Sequence, residues 1–148
     1  MCAGGLPVPD EQHHYKIIRA ALEIQAYVFD NNEKRKAQNL PIWEIRIGVH
    51  YGPAIAGVVG RKKYAYDIWG STVNIASRME SSGVPGQVNI SEAAYEKVKN
   101  KFACIYRGKV YAKNVGEIDM YLVDHEIETF DSEMERHGNT AVRNIIPG

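Results

Sequence analysis

Three polar side chains, Asp67, Asn74 and Arg78, stand at fixed offsets in the run Tyr66-Asp67-Ile68-Trp69-Gly70-Ser71-Thr72-Val73-Asn74-Ile75-Ala76-Ser77-Arg78-Met79. Asn74 and Arg78 are four positions apart, so on a helix they lie one above the other on a single face. Arg offers a planar fork of donors with a permanent charge, and Asn offers an amide that can hold a sugar oxygen. Together they can grip a polyphosphate and the sugar beside it. Asp67 precedes the helix, where its carboxylate can accept from an exocyclic amine. Taken singly, each residue has a plain reading: a turn aspartate, and a solvated pair on an exposed helix face. The spacing is what turns them into a site.

The elements that must position this trio follow from local pattern. Gly70 breaks a short aromatic run, Ser71 or Thr72 can cap a new helix, and Val73, Ala76 and Met79 or Glu80 recur at helical spacing, so a helix is predicted from near Thr72, with the Asn74–Arg78 pair about one turn from its positive end. Upstream, Met1–Pro7 reads as the end of a strand running into a turn, and Asp10 as the cap of a helix with an apolar stripe at Tyr15, Ile18, Leu22, Ala26 and Phe29. Asp30–Asn39 is dense in charge and amide and reads as a solvated tail before Pro41. His13 and His14 are adjacent, hence about 100° apart on a helix, which makes a poor chelate. Trp43, Ile45, Ile47 and Val49 alternate with polar residues or glycine as in a half-buried strand, and Ala54–Gly60 is small and apolar as in a central strand covered on both faces. Arg61-Lys62-Lys63 reads as a solvated loop, and the glycines before it lack the spacing of a phosphate-binding loop. Gly83-Val84-Pro85-Gly86 stops the signature helix, Val88-Asn89-Ile90 is a short strand, and a short helix runs from Ser91-Glu92 to near Asn100. Phe102–Lys113 and Ile118–Val123 form a hairpin joined around Asn114-Val115-Gly116. The predicted class is α+β, with helices over one face of an antiparallel sheet. Residues 1–125 form the domain, and 126–148 a polar extension expected to be mobile.

With Arg46-Ile47-Gly48-Val49-His50-Tyr51-Gly52-Pro53, Ala56-Gly57-Val58-Val59-Gly60 and Gly108-Lys109-Val110-Tyr111-Ala112-Lys113, the signature run resembles the class III adenylyl/guanylyl cyclase catalytic domain over residues 1–125. The resemblance implies a ferredoxin-like core with an added carboxy-terminal hairpin. It implies domains paired head to tail, with nucleotide sites across the interface, one partner supplying the metal-binding carboxylates and the other the base, sugar and phosphate contacts. It places Asp67 against the N6 amine of adenine, where guanylyl cyclases usually carry cysteine, and Asn74 and Arg78 against ribose and triphosphate. Lys113, otherwise an ordinary hairpin lysine, matches the family's phosphate-binding lysine, although Asn114-Val115 stands where Gly-Lys usually follows. The implied reaction closes ATP to 3′,5′-cyclic AMP with loss of pyrophosphate and uses two divalent metals, Mg or Mn. Against the family pattern the chain is expected to lack the first strand, first helix and second strand, and with them both metal-binding aspartates and an adenine-reading lysine. No metal ligand is therefore assigned to this chain, which is expected to be inactive by itself and to act with a second cyclase domain in a homodimer.

Composition is compatible with this reading and excludes several others. A chain of 148 residues with 45% hydrophobic residues fits one domain, and its formal net charge of zero gives no global field for nucleic acid or an anionic membrane. An RNA-binding ferredoxin-like domain would also want exposed aromatic signatures that are missing here. Cys2 and Cys104, without a secretory pattern, suit free thiols in the cytoplasm. No apolar run reaches the ~20 residues of a spanning helix. Asn89-Ile90-Ser91 matches a glycosylation acceptor without a signal segment to make it meaningful. A guanylate cyclase, or a catalytically dead dimerising or regulatory module, are the alternatives to an adenylate cyclase.

Overall fold

A computed structural model describes residues 1–60, 65–112 and 114–127. The expectations for Arg61-Lys62-Lys63, for Lys113 and for 128–148 lie outside the described residues.

Helix α1 (His13–Ala37) begins where the Asp10 carbonyl accepts from the His13 N–H at 3.1 Å and Asp10 Oδ1 accepts from the Gln12 N–H at 2.9 Å. Ile18 and Ala21 are buried and Tyr15 and Leu22 partly so, but Phe29 is 64% exposed, so the apolar stripe packs only in its first half. The charged stretch is helix to Ala37 rather than a loose tail. Lys34, Arg35 and Lys36 sit in the last turn, where the helix dipole favours cations. Asn32 clasps Trp43 twice, donating to its carbonyl and accepting from its N–H at 2.8 Å each, and Arg35 donates to Pro41 O at 2.6 Å. That clasp takes the backbone groups of Trp43 away from sheet pairing, and the predicted long strand shrinks to β1 (Ile47–Val49).

The main sheet has the order β1-β4-β6-β5 with β4 (Val88–Ser91), β5 (Phe102–Ala112) and β6 (Gly116–Glu126); β1 and β4 run parallel and the other pairs antiparallel. β4 lies in the interior with all four residues buried. Ser91 ends it and caps α3 (Glu92–Val98), its hydroxyl accepting from the Ala94 N–H at 3.3 Å. Asn114 and Gly116, with φ of 67° and 99°, turn the β5–β6 hairpin. The α+β class stands, and two details differ from the sequence reading. Helices cover both faces of the sheet: Val88, Ile90 and Val123 pack with Ile18 of α1 and Ala94 and Val98 of α3, while Ala112 and Met120 pack with Ile75 and Met79 of α2 (Ser71–Ser81). Alternate residues of a strand point to opposite faces, which sends Gly48 and Asn89 toward α2 and their neighbours toward α1. The Ala54–Gly60 stretch is not a central strand either. β2 (Ile55–Val59) pairs only with β3 (Ala65–Trp69) in a separate two-stranded ribbon, with Ile55 71%, Val58 65% and Tyr66 53% exposed. Its apolar run is that of a surface awaiting a cover rather than of a core strand. Among the described residues no helix is long and apolar enough to cross a membrane.

Candidate functional site

β3 delivers Asp67 and the turn after it delivers α2. Gly70 holds φ +129°, a conformation open to glycine and strained for any side chain, and is itself the N-cap residue. Neither Ser71 nor Thr72 caps the helix. The Thr72 hydroxyl instead donates to Pro53 O, tying the start of α2 to the turn after β1. Gly52 lies against this tie, since a Cβ there would meet Thr72 Oγ1 at 2.8 Å and His50 Nε2 at 3.1 Å. On its inner side α2 buries Ile75 and Met79.

Asn74 and Arg78 each precede one of those buried residues, and both are exposed, one turn apart. Neither side chain has a hydrogen-bond or ion-pair partner among the described residues. Asn74 is in the amino-terminal part of the helix, but Arg78 lies in the last turn of this short α2, at its negative end. The dipole there stabilises the guanidinium and adds nothing to its pull on an anion, so the positive charge offered to a ligand is the side chain's own. Asp67 is exposed on β3, with Oδ1 accepting from the Ile68 N–H at 2.8 Å. Its cross-strand neighbour is Gly57, so no side chain stands opposite the carboxylate. Asp67 and the Asn74–Arg78 pair belong to consecutive elements, and among the described residues no hydrogen bond or ion pair joins them. Lys113 lies outside the described residues.

The donor set does not fit a divalent metal pair. The chemistry at α2 is amide and guanidinium, and among the described residues no three His, Cys, Asp or Glu side chains gather. Burial pushes the Cys104 thiol up to about 11, which leaves it protonated and inert. His13 stacks on Tyr51, with ring centroids 5.7 Å apart. His50 is half-buried, which holds its pKa below the ordinary 6.5, and its Nδ1 meets Ser91 Oγ at 2.7 Å.

Asn89 went unread from the sequence beyond its glycosylation match. It is fully buried, which forbids glycosylation in the folded chain, and its amide donates to Met79 O at 2.8 Å. The available signal was an amide in an otherwise apolar strand, Val88-Asn89-Ile90, where every side chain has to be packed.

Residues 1–125 match the family described as adenylate and guanylate cyclase catalytic domain. The chain is 37% identical over 135 residues to guanylate cyclase soluble subunit beta-2 of Rattus norvegicus, covering 90% of this chain and 19% of that protein. It is 32% identical over 135 residues to an adenylate cyclase of Mycobacterium bovis, covering 90% of this chain and 30% of that protein. It spans, then, a fifth to a third of the length of these curated relatives. Among solved structures, the guanylate cyclase domain of RhGC from Catenaria anguillulae in complex with GTP superposes with a TM-score of 0.73 at 30% identity, covering 84% of this chain and 66% of that one.

Proposed function

The chain belongs to the adenylate and guanylate cyclase catalytic domain family, and from that membership we propose that it is the nucleotide-recognising part of an adenylate cyclase, acting on ATP with a second cyclase domain. The observation that carries this is the exposed pair Asn74 and Arg78, unpartnered among the described residues, on a helix pinned to the sheet that follows directly on the strand carrying the open carboxylate of Asp67. Asp67 accepts from the N6 amine of adenine, Asn74 holds the ribose, and Arg78, with Lys113, binds the phosphates. The ribose 3′-hydroxyl gives up its proton to solvent water and its oxygen attacks the α-phosphorus. The bond from that phosphorus to the bridging oxygen breaks, and pyrophosphate leaves. Arg78 stabilises the charge that gathers on the phosphate oxygens as this happens, and it is in place beforehand because its helix is fixed to the sheet. The family implies divalent metals, which the described residues do not accommodate, and no step is assigned to them here.

The β2–β3 ribbon supports the partner reading. Ile55, Val58, Val59, Tyr66 and Trp69 are exposed on its two faces, more apolar surface than an isolated ribbon normally leaves to water. We assign it to contact with the second domain, which places Asp67 beside that interface. A guanylate cyclase is the second reading, favoured by the 37% identity to the rat guanylate cyclase subunit. Against it stands Asp67, because guanine presents a carbonyl oxygen where adenine presents the amine, and a carboxylate cannot donate to it.

The test mixes the chain with a cyclase domain that carries metal-binding carboxylates but has lost its own arginine at the position matching Arg78. Cyclic AMP from ATP and cyclic GMP from GTP are then measured. The chain by itself is expected to be silent. The mixture is expected to make cyclic AMP, falling about 10²–10³-fold with Arg78→Ala. Demonstrated pairing without turnover overturns the proposal, and turnover of GTP in preference to ATP selects the second reading.

A further inference from the structure

Taking Arg78 to be the phosphate-stabilising group, an inference that rests on the proposed function, we infer that Asn89 is a positioning residue that sets where Arg78 stands. α2 ends at Ser81, and its last carbonyls run out of intrahelical donors. The Ser82 N–H goes to Arg78 O at 3.0 Å and the Gly83 N–H to Glu80 O at 2.9 Å, which leaves Met79 O without a backbone partner among the described residues. Asn89 reaches across from the interior strand β4 and fills that place, donating from Nδ2 at 2.8 Å. Two further features hold the same turn. Gly48 of β1 lies so close that a Cβ there would overlap the backbone of Met79 and Glu80. Arg107 of β5 donates to Ser82 O. The residue after Arg78 is thereby fixed to the sheet by a side-chain bond, and the Arg78 backbone has one available location relative to β1 and β4.

A role in packing accounts poorly for an asparagine here. The flanking Val88 and Ile90 are fully buried and apolar, and Asn89 is itself 0% exposed. Its Oδ1 is buried without a hydrogen-bond partner among the described residues. An aliphatic side chain of similar size would spare the desolvation of both amide atoms. It would leave Met79 O unpaired and remove the side-chain bond to β4, so that the last turn of α2 is held by the Gly48 contact and Arg107 alone. Displacing a charge-stabilising group by about 1 Å costs on the order of a hundredfold in rate, so the hydrogen bond at Met79 O acts on turnover through Arg78.

A double-mutant cycle on the chain paired with the complementing cyclase domain tests this, with kcat and KM for ATP measured for wild type, Arg78→Ala, Asn89→Leu and the double variant. Asn89→Leu is expected to lower kcat about tenfold to a hundredfold with KM changed less than about threefold. On the Arg78→Ala background the same substitution is expected to change kcat by less than about twofold, because the group it positions is gone. Melting curves report whether Asn89→Leu folds. Should it fail to fold, Arg107→Ala, at an exposed position, takes its place, with a smaller loss of kcat that likewise vanishes on the Arg78→Ala background. Full additivity of the two substitutions, or an unchanged kcat in the folded Asn89 variant, overturns the inference and leaves the proposed function standing. Arg78→Ala without effect, or a wild-type pair without turnover, overturns the reading of the site and the inference with it.

Discussion

Asp67 has one carboxylate oxygen committed to the Ile68 N–H at 2.8 Å and faces a glycine across the ribbon, so among the described residues no ion pair has to break before it receives a base amine. Opposite a guanine carbonyl the same group would be an acceptor facing an acceptor. An acceptor left unpaired once bound nucleotide buries it costs ~1–3 kcal/mol, which corresponds to a preference for ATP over GTP of roughly fivefold to about 150-fold in kcat/KM. Asp67→Cys is expected to reduce that ratio toward unity, and Arg78→Ala to lower kcat/KM for both nucleotides in the same proportion, because the phosphates are common to them. Measuring kcat/KM for both nucleotides in the wild-type paired enzyme and in each variant decides it. A ratio unmoved by Asp67→Cys but shifted by Arg78→Ala would reverse the two roles.

At the scale of elements, α2 is the part whose placement matters, and it is held at both ends: by Thr72 to Pro53 O at its start and by Asn89, Gly48 and Arg107 at its finish. Gly48 is the sharpest constraint, because the atoms a methyl group would meet belong to the helix backbone and cannot rotate away. Gly48→Ala should therefore lift the last turn of α2 off β1. Overpacking of this kind destabilises by ~1–3 kcal/mol or more, about 3–10 °C in Tm for a chain of this size. Gly86→Ala is a control with nothing within 4 Å of the new Cβ, although its φ of +75° carries its own strain. Calorimetry of the two variants is expected to show the larger loss for Gly48→Ala, together with a fall in turnover of the paired enzyme that Gly86→Ala does not share.

For the molecule as a whole, two properties follow. The first is association. The ribbon presents apolar side chains on both faces, so the chain is expected to self-associate at micromolar concentration. Val58→Lys, at a position 65% exposed and opposite Tyr66, is expected to shift sedimentation velocity toward monomer without lowering Tm. A wild-type chain that sediments as monomer throughout would remove the ribbon as an interface. The second is pH. His50 is held below its ordinary 6.5 by burial, and His14 is lowered by burial first and then by His13, Lys97 and Lys101, with Asp10 opposing. A histidine depressed in the folded state is kept neutral there while the unfolded chain takes up the proton, so its contribution is present above the unfolded value and is lost as pH falls below it. Tm is accordingly expected to be flat from pH 8 to about 7 and to decline below ~6.5, with His50→Asn, which cannot titrate, declining less. Equal acid sensitivity of the variant and the wild type would place the titration elsewhere.

What the sequence by itself determined is what short-range chemistry controls. Apart from β3, whose short aromatic run was not assigned as a strand, the order of helix and strand from Asp10 to Val123, the start of a helix after Gly70, the α2 spacing that stacks Asn74 on Arg78, and the family to which residues 1–125 belong were legible, because period, turn residues and motif are properties of adjacent positions. Pattern also misled where a distant residue intervenes. The alternation from Trp43 to Val49 predicted a long strand, but Asn32 takes the Trp43 backbone. The charges from Asp30 onward predicted a tail, but the helix dipole and the clasp to Pro41 and Trp43 keep them helical. Ala54–Gly60 carries the apolar composition of a core strand, and composition cannot say whether the cover is the chain's own core or another molecule. Only the tertiary structure decided that helices occupy both faces of the sheet, that the Asn89 side chain is buried under α2 and bonded to its last turn, and that Gly48 exists to let two backbones meet. Each of these depends on which residues far apart in the chain share one few-ångström space, and no local regularity records that.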